Sequence, residues 1–350
     1  MPELTSSPRA PSPPAGLPAS LGPVPPPVQD PLPTDLLRRL IESISREVIG
    51  YEQVVRALAV ALVAEGHVLL EGVPGLAKTY LVRAFSRALQ LDFRRIQFTP
   101  DMLPSDILGT TLLRTQDQSF EFRKGPIFAN VILADEINRA PPKVQSALLE
   151  AMQERQVTIE GKTYPLPRPF MVIATQNPIE QEGTYPLPEA ELDRFLFRWI
   201  LDYPSAEDEV NILKTRGDLT GGLIGTAILQ PTDIERLRAL HGGVFVGDDL
   251  FRYLASVVRE TRTDRRLLMG ASPRASVQFL MAVKAAALLD GRSYVIPDDV
   301  RELAFPVINH RVIVRPEVLT QSSGVGQVPG AVGQLRLILR EDLDRIDVPR

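Results

Sequence analysis

The chain contains no cysteine, which excludes disulfides, thiolate catalysis and any Cys-ligated metal. Histidine is almost as scarce. His67, His241 and His310 lie far apart without ligand-like spacing, so three ordinary interior or surface side chains are expected rather than a metal centre. No run approaches the ~18 apolar residues of a membrane span, and no charged segment leading into an apolar stretch marks the N-terminus. The expectation is a soluble, cytoplasmic protein without a transmembrane segment. Excess positive charge is absent too: 39 Lys and Arg against 43 Asp and Glu leave a net charge of −4. A nucleic-acid partner usually demands a basic field, and none is expected here.

Proline is abundant, above all at one end. Residues 1–33 are dense in it, with Ala, Ser and Gly between, a composition that cannot bury enough to offset ordering and predicts a disordered tail. With 350 residues, 44% of them apolar, the remainder predicts about two domains. From Thr34 a helical repeat of Leu36, Leu37, Leu40, Ile41 and Ile44 runs to a break at Ile49-Gly50, and Gln53 to Ala64 is helical again. Apolar runs at 67–70, 131–134 and 170–174 read as strands buried on both faces, as in a parallel sheet; Phe93 to Phe98 and Phe195 to Leu201 complete the set. This predicts an α/β domain over 34–203. The stretch 99–125, punctuated by proline and glycine, reads as an insertion, and 157–165 as a hairpin. Beyond Pro204 the strand signal disappears and helical patterns take over, predicting a smaller helical domain over 204–350 with a flexible loop near 321–332.

The stretch Gly72-Val73-Pro74-Gly75-Leu76-Ala77-Lys78-Thr79 lies between the first strand and a helix. Backbone N–H groups at a helix N-terminus point at an anion there, and the helix dipole favours its charge. Lys78 would reach the β- and γ-phosphates of a nucleotide and the Thr79 hydroxyl would ligate Mg²⁺. Ala77 stands where the P-loop pattern asks for its second glycine, so it must sit at negative φ or bear strain.

Nucleotide hydrolysis further requires a metal ligand, a positioned water and cations that neutralise charge on the γ-phosphoryl group. Asp135 and Glu136 end a buried strand, where ligands bind in open α/β sheets; Asp135 can hold Mg²⁺ and Glu136 can orient or deprotonate water. Asn177 stands at the tip of a strand expected beside them. Arg194, in Leu192-Asp193-Arg194-Phe195, is a candidate charge donor. Arg274 follows Ser272-Pro273, an N-cap and first-turn proline; the helix dipole disfavours a cation there, so an anion nearby is expected.

Together with Asp135-Glu136-Ile137-Asn138-Arg139-Ala140-Pro141-Pro142, Gln176-Asn177-Pro178 and Leu187-Pro188-Glu189-Ala190-Glu191-Leu192-Asp193-Arg194-Phe195, the loop resembles the MoxR family of AAA+ ATPases over residues 34–317. Alanine at position 77 agrees with that family. The resemblance implies an αβα nucleotide domain with a helical lid, binding ATP and Mg²⁺ in a homo-oligomer, usually a hexameric ring. It casts Lys78 and Thr79 as the P-loop pair, with Tyr80 next to them, and Asp135 and Glu136 as metal and water residues. Asn177 becomes the first sensor, Arg194 a finger reaching the neighbouring subunit, and Arg274 a second, nucleotide-binding sensor on the lid. Ile49 and Gly50 would border the adenine. The insertions would face the pore or a partner. It further implies chaperone-like remodelling of a client or adaptor, often one with a von Willebrand factor type A domain. The alternative is a nucleic-acid motor of the same superfamily.

Overall fold

The computed structural model describes residues 31–114, 119–178, 183–216, 227–321 and 330–349. Residues 1–30 of the tail expected before Thr34, and most of the glycine-rich stretch near 321–332, lie outside these residues; residues 31–33, expected to belong to the disordered tail, instead form the start of the first helix. Among the described residues, five parallel strands form one sheet: β1 (Val68–Glu71), β2 (Phe93–Gln97), β3 (Val131–Asp135), β4 (Met171–Gln176) and β5 (Phe197–Ile200), in the order β2-β3-β4-β1-β5. The alternation of side chains along each strand sends them to opposite faces. Val68, Leu70, Val131, Leu133 and Ile173 join one hydrophobic cluster, while Leu69, Ile132, Ala134, Val172 and Ala174 join a second. A sheet covered on both faces needs strands that are apolar at every position, which is why β1 and β3 read as unbroken runs.

The first cluster is filled by α1 (Pro31–Glu47), α2 (Glu52–Val63) and α3 (Lys78–Ala88). Every residue of α2 from Val54 to Val63 except Arg56 is buried, as expected of a helix that is hydrophobic nearly all round. The second cluster is filled by α4 (Pro142–Glu154), whose Pro142 stands at the first helical position. The insertion is a short helix, Pro104–Leu108, followed by an antiparallel hairpin of Gly109–Arg114 with Ser119–Lys124. The second hairpin, Gln156–Ile159 with Lys162–Pro165, is present as expected, and the two hairpins touch through Phe122 and Tyr164, ring centroids 4.3 Å apart.

The helical region contains α5 (Ala206–Arg216), α6 (Pro231–Gly242), α7 (Asp248–Thr263), α8 (Pro273–Leu289), α9 (Pro297–Ile308) and α10 (Ala331–Arg345). It is not wholly helical: Leu267–Met269 and Ile313–Val314 pair antiparallel. Strands this short hold too few residues for alternation to register in a sequence. Leu237, Phe279, Ala282 and Val307 of this region belong to the same cluster as α1 and α2, so the helical region and the α/β region share one core. No described helix is long and apolar enough to cross a membrane.

All three histidines are buried and bonded to backbone carbonyls. His67 accepts from the Val172 N–H at 3.0 Å and donates to the Met152 carbonyl at 3.1 Å. Burial, assisted by the nearby Arg155 cation, pushes its pKa down from 6.5 to about 4. The unfolded chain therefore binds a proton near pH 6.5 that the folded chain refuses until about pH 4. Stability contributed by the neutral ring is complete above the unfolded value and declines as pH falls through this window, by about 3 kcal/mol. Urea midpoints measured across the window are expected to fall with acidity, and less steeply in His67→Gln, which keeps an acceptor but cannot titrate. Equal slopes would remove His67 from the account.

Candidate active site

The loop between β1 and α3 has the shape of a phosphate cradle. Its Gly72 N–H donates to the Gln176 carbonyl at 3.2 Å, tying the loop to the end of β4. Gly75 adopts φ 89° and Ala77 φ 53°. Of the two possibilities open to Ala77, the strained one is realised: a non-glycine residue in the left-handed region costs roughly 1–2 kcal/mol. Such strain persists where the surroundings over-determine it and is concentrated at functional sites. The Lys78 ammonium folds back onto the Gly72 and Val73 carbonyls. Beside the loop lies a cavity of about 370 Å³ lined by Val48, Ile49, Pro74, Gly75, Ala77 and Tyr203, among others. Its size and mixed lining suit a nucleoside. Gly50, at φ 85°, makes the turn into α2 and lines a neighbouring cavity. Tyr80 donates to Glu47 at 2.9 Å, bracing α3 against the end of α1.

Asp135 and Glu136 stand beside this loop at the C-terminal end of β3. Thr79 Oγ1 lies 3.4 Å from Asp135 Oδ2. This pair of hard oxygen donors fits Mg²⁺, which takes few protein ligands and completes its shell with water and phosphate oxygens. Among the described residues no group of three or more His, Asp or Glu could hold a metal ion without that help. Thr175, fully buried on β4, donates to Asp135 Oδ1 at 2.6 Å and accepts from the Glu136 N–H at 2.9 Å. Glu136 itself sits at φ 58°, so the backbone turns sharply where the strand ends. Asn177 is buried at the tip of β4, its carbonyl accepting from Asn138 Nδ2 at 3.3 Å.

Two residues that the sequence did not single out complete this end. Arg95 on β2 donates to Asp135 Oδ2 at 2.7 and 3.0 Å and to Gln97 at 2.6 Å. Gln97 donates to Glu136 Oε2 at 2.9 Å, and Arg139 approaches the same oxygen at 3.1 Å. A metal ion held by Asp135 would compete with the Arg95 guanidinium, and two donors hold the Glu136 carboxylate. The available signal was the polar pair at positions two apart on a strand, but only the sheet order reveals that the strand adjoins β3.

Arg194 and Arg274 are elsewhere. Both line a cavity of about 200 Å³ with Gly66, His67, Arg155 and Gln278. Gly66 and His67 precede β1, whereas the phosphate loop follows it, so the length of the strand, roughly 13 Å, separates the two arginines from Lys78. Arg274, expected as a second, nucleotide-binding sensor on the lid, lines this cavity together with Arg194. The local reading of its helix holds, since Ser272 Oγ accepts from the Ala275 N–H at 3.3 Å and Pro273 begins α8. Among the described residues the ion pairs of this cavity join Glu65 to Arg155 and Arg238, and neither Arg194 nor Arg274 takes part in one.

Residues 67–197 match the ATPase family associated with various cellular activities, and residues 259–327 match the AAA lid domain. The chain is 48% identical over 292 residues to the chaperone MoxR1 of Mycobacterium tuberculosis, covering 81% of this chain and 77% of that protein. It is 43% identical over 314 residues to YeaC of Bacillus subtilis, covering 90% and 95%, and 34% identical to the MoxR protein of Paracoccus denitrificans, covering 77% and 86%. A crystal structure from Cytophaga hutchinsonii superposes with a TM-score of 0.81 at 39% identity, covering 91% of this chain and 96% of that one.

Proposed function

The chain belongs to the MoxR family of AAA+ ATPases, and on that premise we propose that it hydrolyses ATP in a centre completed by a second copy of itself. The supporting observation is the separation of Arg194 and Arg274 from the phosphate loop of their own chain. Two arginines that join no ion pair among the described residues, set apart from the phosphate loop of their own chain, are suited to the nucleotide of a neighbour. Repeating such a heterologous contact closes a ring, and we read the assembly as a hexamer.

In this reading the adenosine occupies the cavity beside Ile49, and the N–H groups of residues 75–79 together with Lys78 hold the phosphates. Mg²⁺, held by Thr79 and Asp135, would neutralise charge on the β- and γ-phosphoryl oxygens. Glu136, released from Gln97, accepts a proton from the water as its oxygen bonds to the γ-phosphorus. The bond to the bridging oxygen breaks and ADP keeps that oxygen. Asn177 orients the water. Arg194 and Arg274 of the neighbouring copy stabilise the charge of the transferring group. The work done is chaperone-like remodelling of a client or adaptor in the cytoplasm, in keeping with the name of MoxR1; a protein with a von Willebrand factor type A domain is the partner class proposed.

Lys78→Ala is the direct test of the nucleotide site. Charge-assisted hydrogen bonds contribute about 1.5–3 kcal/mol each, so ATP affinity measured by calorimetry or a fluorescent analogue is expected to fall roughly 10- to 150-fold. Undiminished affinity would remove the phosphate loop from the mechanism.

A further inference from the structure

Arg311 lies between α9 and the strand Ile313–Val314, and its side chain is only 1% exposed. Burying a guanidinium is expensive unless every donor is met, and here the acceptors are concentrated around one residue. Nε donates to Asp193 Oδ1 at 2.7 Å. Nη2 donates to the Phe195 carbonyl at 2.5 Å and approaches the Asp193 carbonyl at 3.4 Å, and Nη1 reaches the Leu196 carbonyl at 3.3 Å. These carbonyls bracket Arg194 on both sides. Further bonds run to the Val307 carbonyl and to Gln278 on α8. Burial lowers the Arg311 pKa from 12.5 to about 10, with Asp193 opposing the shift, so the group stays charged at neutral pH.

The other Asp193 oxygen accepts from Ser272 Oγ at 2.9 Å, the hydroxyl that caps the helix bearing Arg274. Gln278 lies one turn beyond Arg274 on the same helix face. The segment carrying Arg194 and the helix carrying Arg274 are thus fastened to each other through Asp193 and Arg311. We propose that Arg311 is a positioning residue for both arginines, setting the geometry in which they are presented to the neighbouring copy. Because Arg311 belongs to the lid, lid movement is transmitted to the centre next door rather than only to its own nucleotide. This inference rests on the reading that Arg194 acts in trans.

Arg311→Lys keeps the charge but replaces the planar fork with a single ammonium, which cannot span Asp193, Phe195 and Gln278 together. Alone it is expected to lose about 100-fold in kcat, the scale of a misplacement near 1 Å, with KM for ATP unchanged, because its phosphate loop is intact. Mixed with Glu136→Gln, whose arginines are intact, it is expected to regain activity; mixed with Arg194→Ala it is not, since both then lack a working donor. A merely structural role would give no such asymmetry. Wild-type kcat, rescue by Arg194→Ala, or no rescue by Glu136→Gln would overturn the inference. The control mixture of Arg194→Ala with Glu136→Gln separates the two levels: if that pair also fails to complement, the trans reading itself falls. Should Arg311→Lys not fold, Asp193→Asn, which keeps the shape but removes the counter-charge, is judged by the same outcomes.

Discussion

Arg194→Ala is expected to retain ATP binding and to lose about 10³-fold or more in turnover, the range in which arginine fingers act. The geometry leaves little middle ground. The side chain opens into a cavity beside Gly66 and His67, at the end of β1 remote from Gly72, so it cannot reach a γ-phosphate bound by its own Lys78. Either it serves another copy or it has no part in the chemistry. Steady-state hydrolysis with ATP affinity measured in parallel separates these cases, since a residue without a role changes neither. Mixing with Glu136→Gln supplies the stronger check. Each variant lacks one half of the centre, and in a randomly mixed closed ring about a quarter of interfaces unite the two intact halves. Partial recovery that peaks near equal proportions is the expected result, and no recovery at any ratio would count decisively against action in trans.

What was legible in the sequence is what is contiguous in it. The cradle from Gly72 to Thr79 is a single stretch, and Asp135 ends, and Glu136 follows, a strand whose every residue is buried, so a short window sufficed. The second cradle glycine was absent, yet Ala77 takes the conformation a glycine would supply, at φ 53°. What escaped depends on pairing between distant segments. Arg95 and Gln97 matter only because β2 lies next to β3, a fact of sheet order that no window of residues contains. Arg274 was legible only in part: its local signals, the Ser272 cap and Pro273, are present, but that its first turn lies beside Arg194 is set by how the helix packs, which no window of residues contains. Arg311 is the extreme case. An isolated arginine in Asn309-His310-Arg311 carries no pattern, and its role comes from carbonyls more than a hundred residues earlier in the chain.

Glu136→Gln is expected to bind ATP and hydrolyse it about 10³-fold more slowly, within the range a general base contributes. The substitution is informative because it is nearly silent for structure. The amide has the same shape, can still accept from Gln97 and Arg139, and leaves the N–H bond to Thr175 untouched; what it loses is the ability to take the proton of the attacking water. Asp135 cannot substitute, since its two oxygens are engaged by Thr175 and Arg95 and one of them faces Thr79. Single-turnover measurements therefore separate the roles: nucleotide retained with negligible phosphate release assigns the proton to Glu136. Turnover near wild type would transfer it to another group and leave Glu136, with its left-handed backbone and its hold on Gln97, as a strained strand end without a chemical purpose.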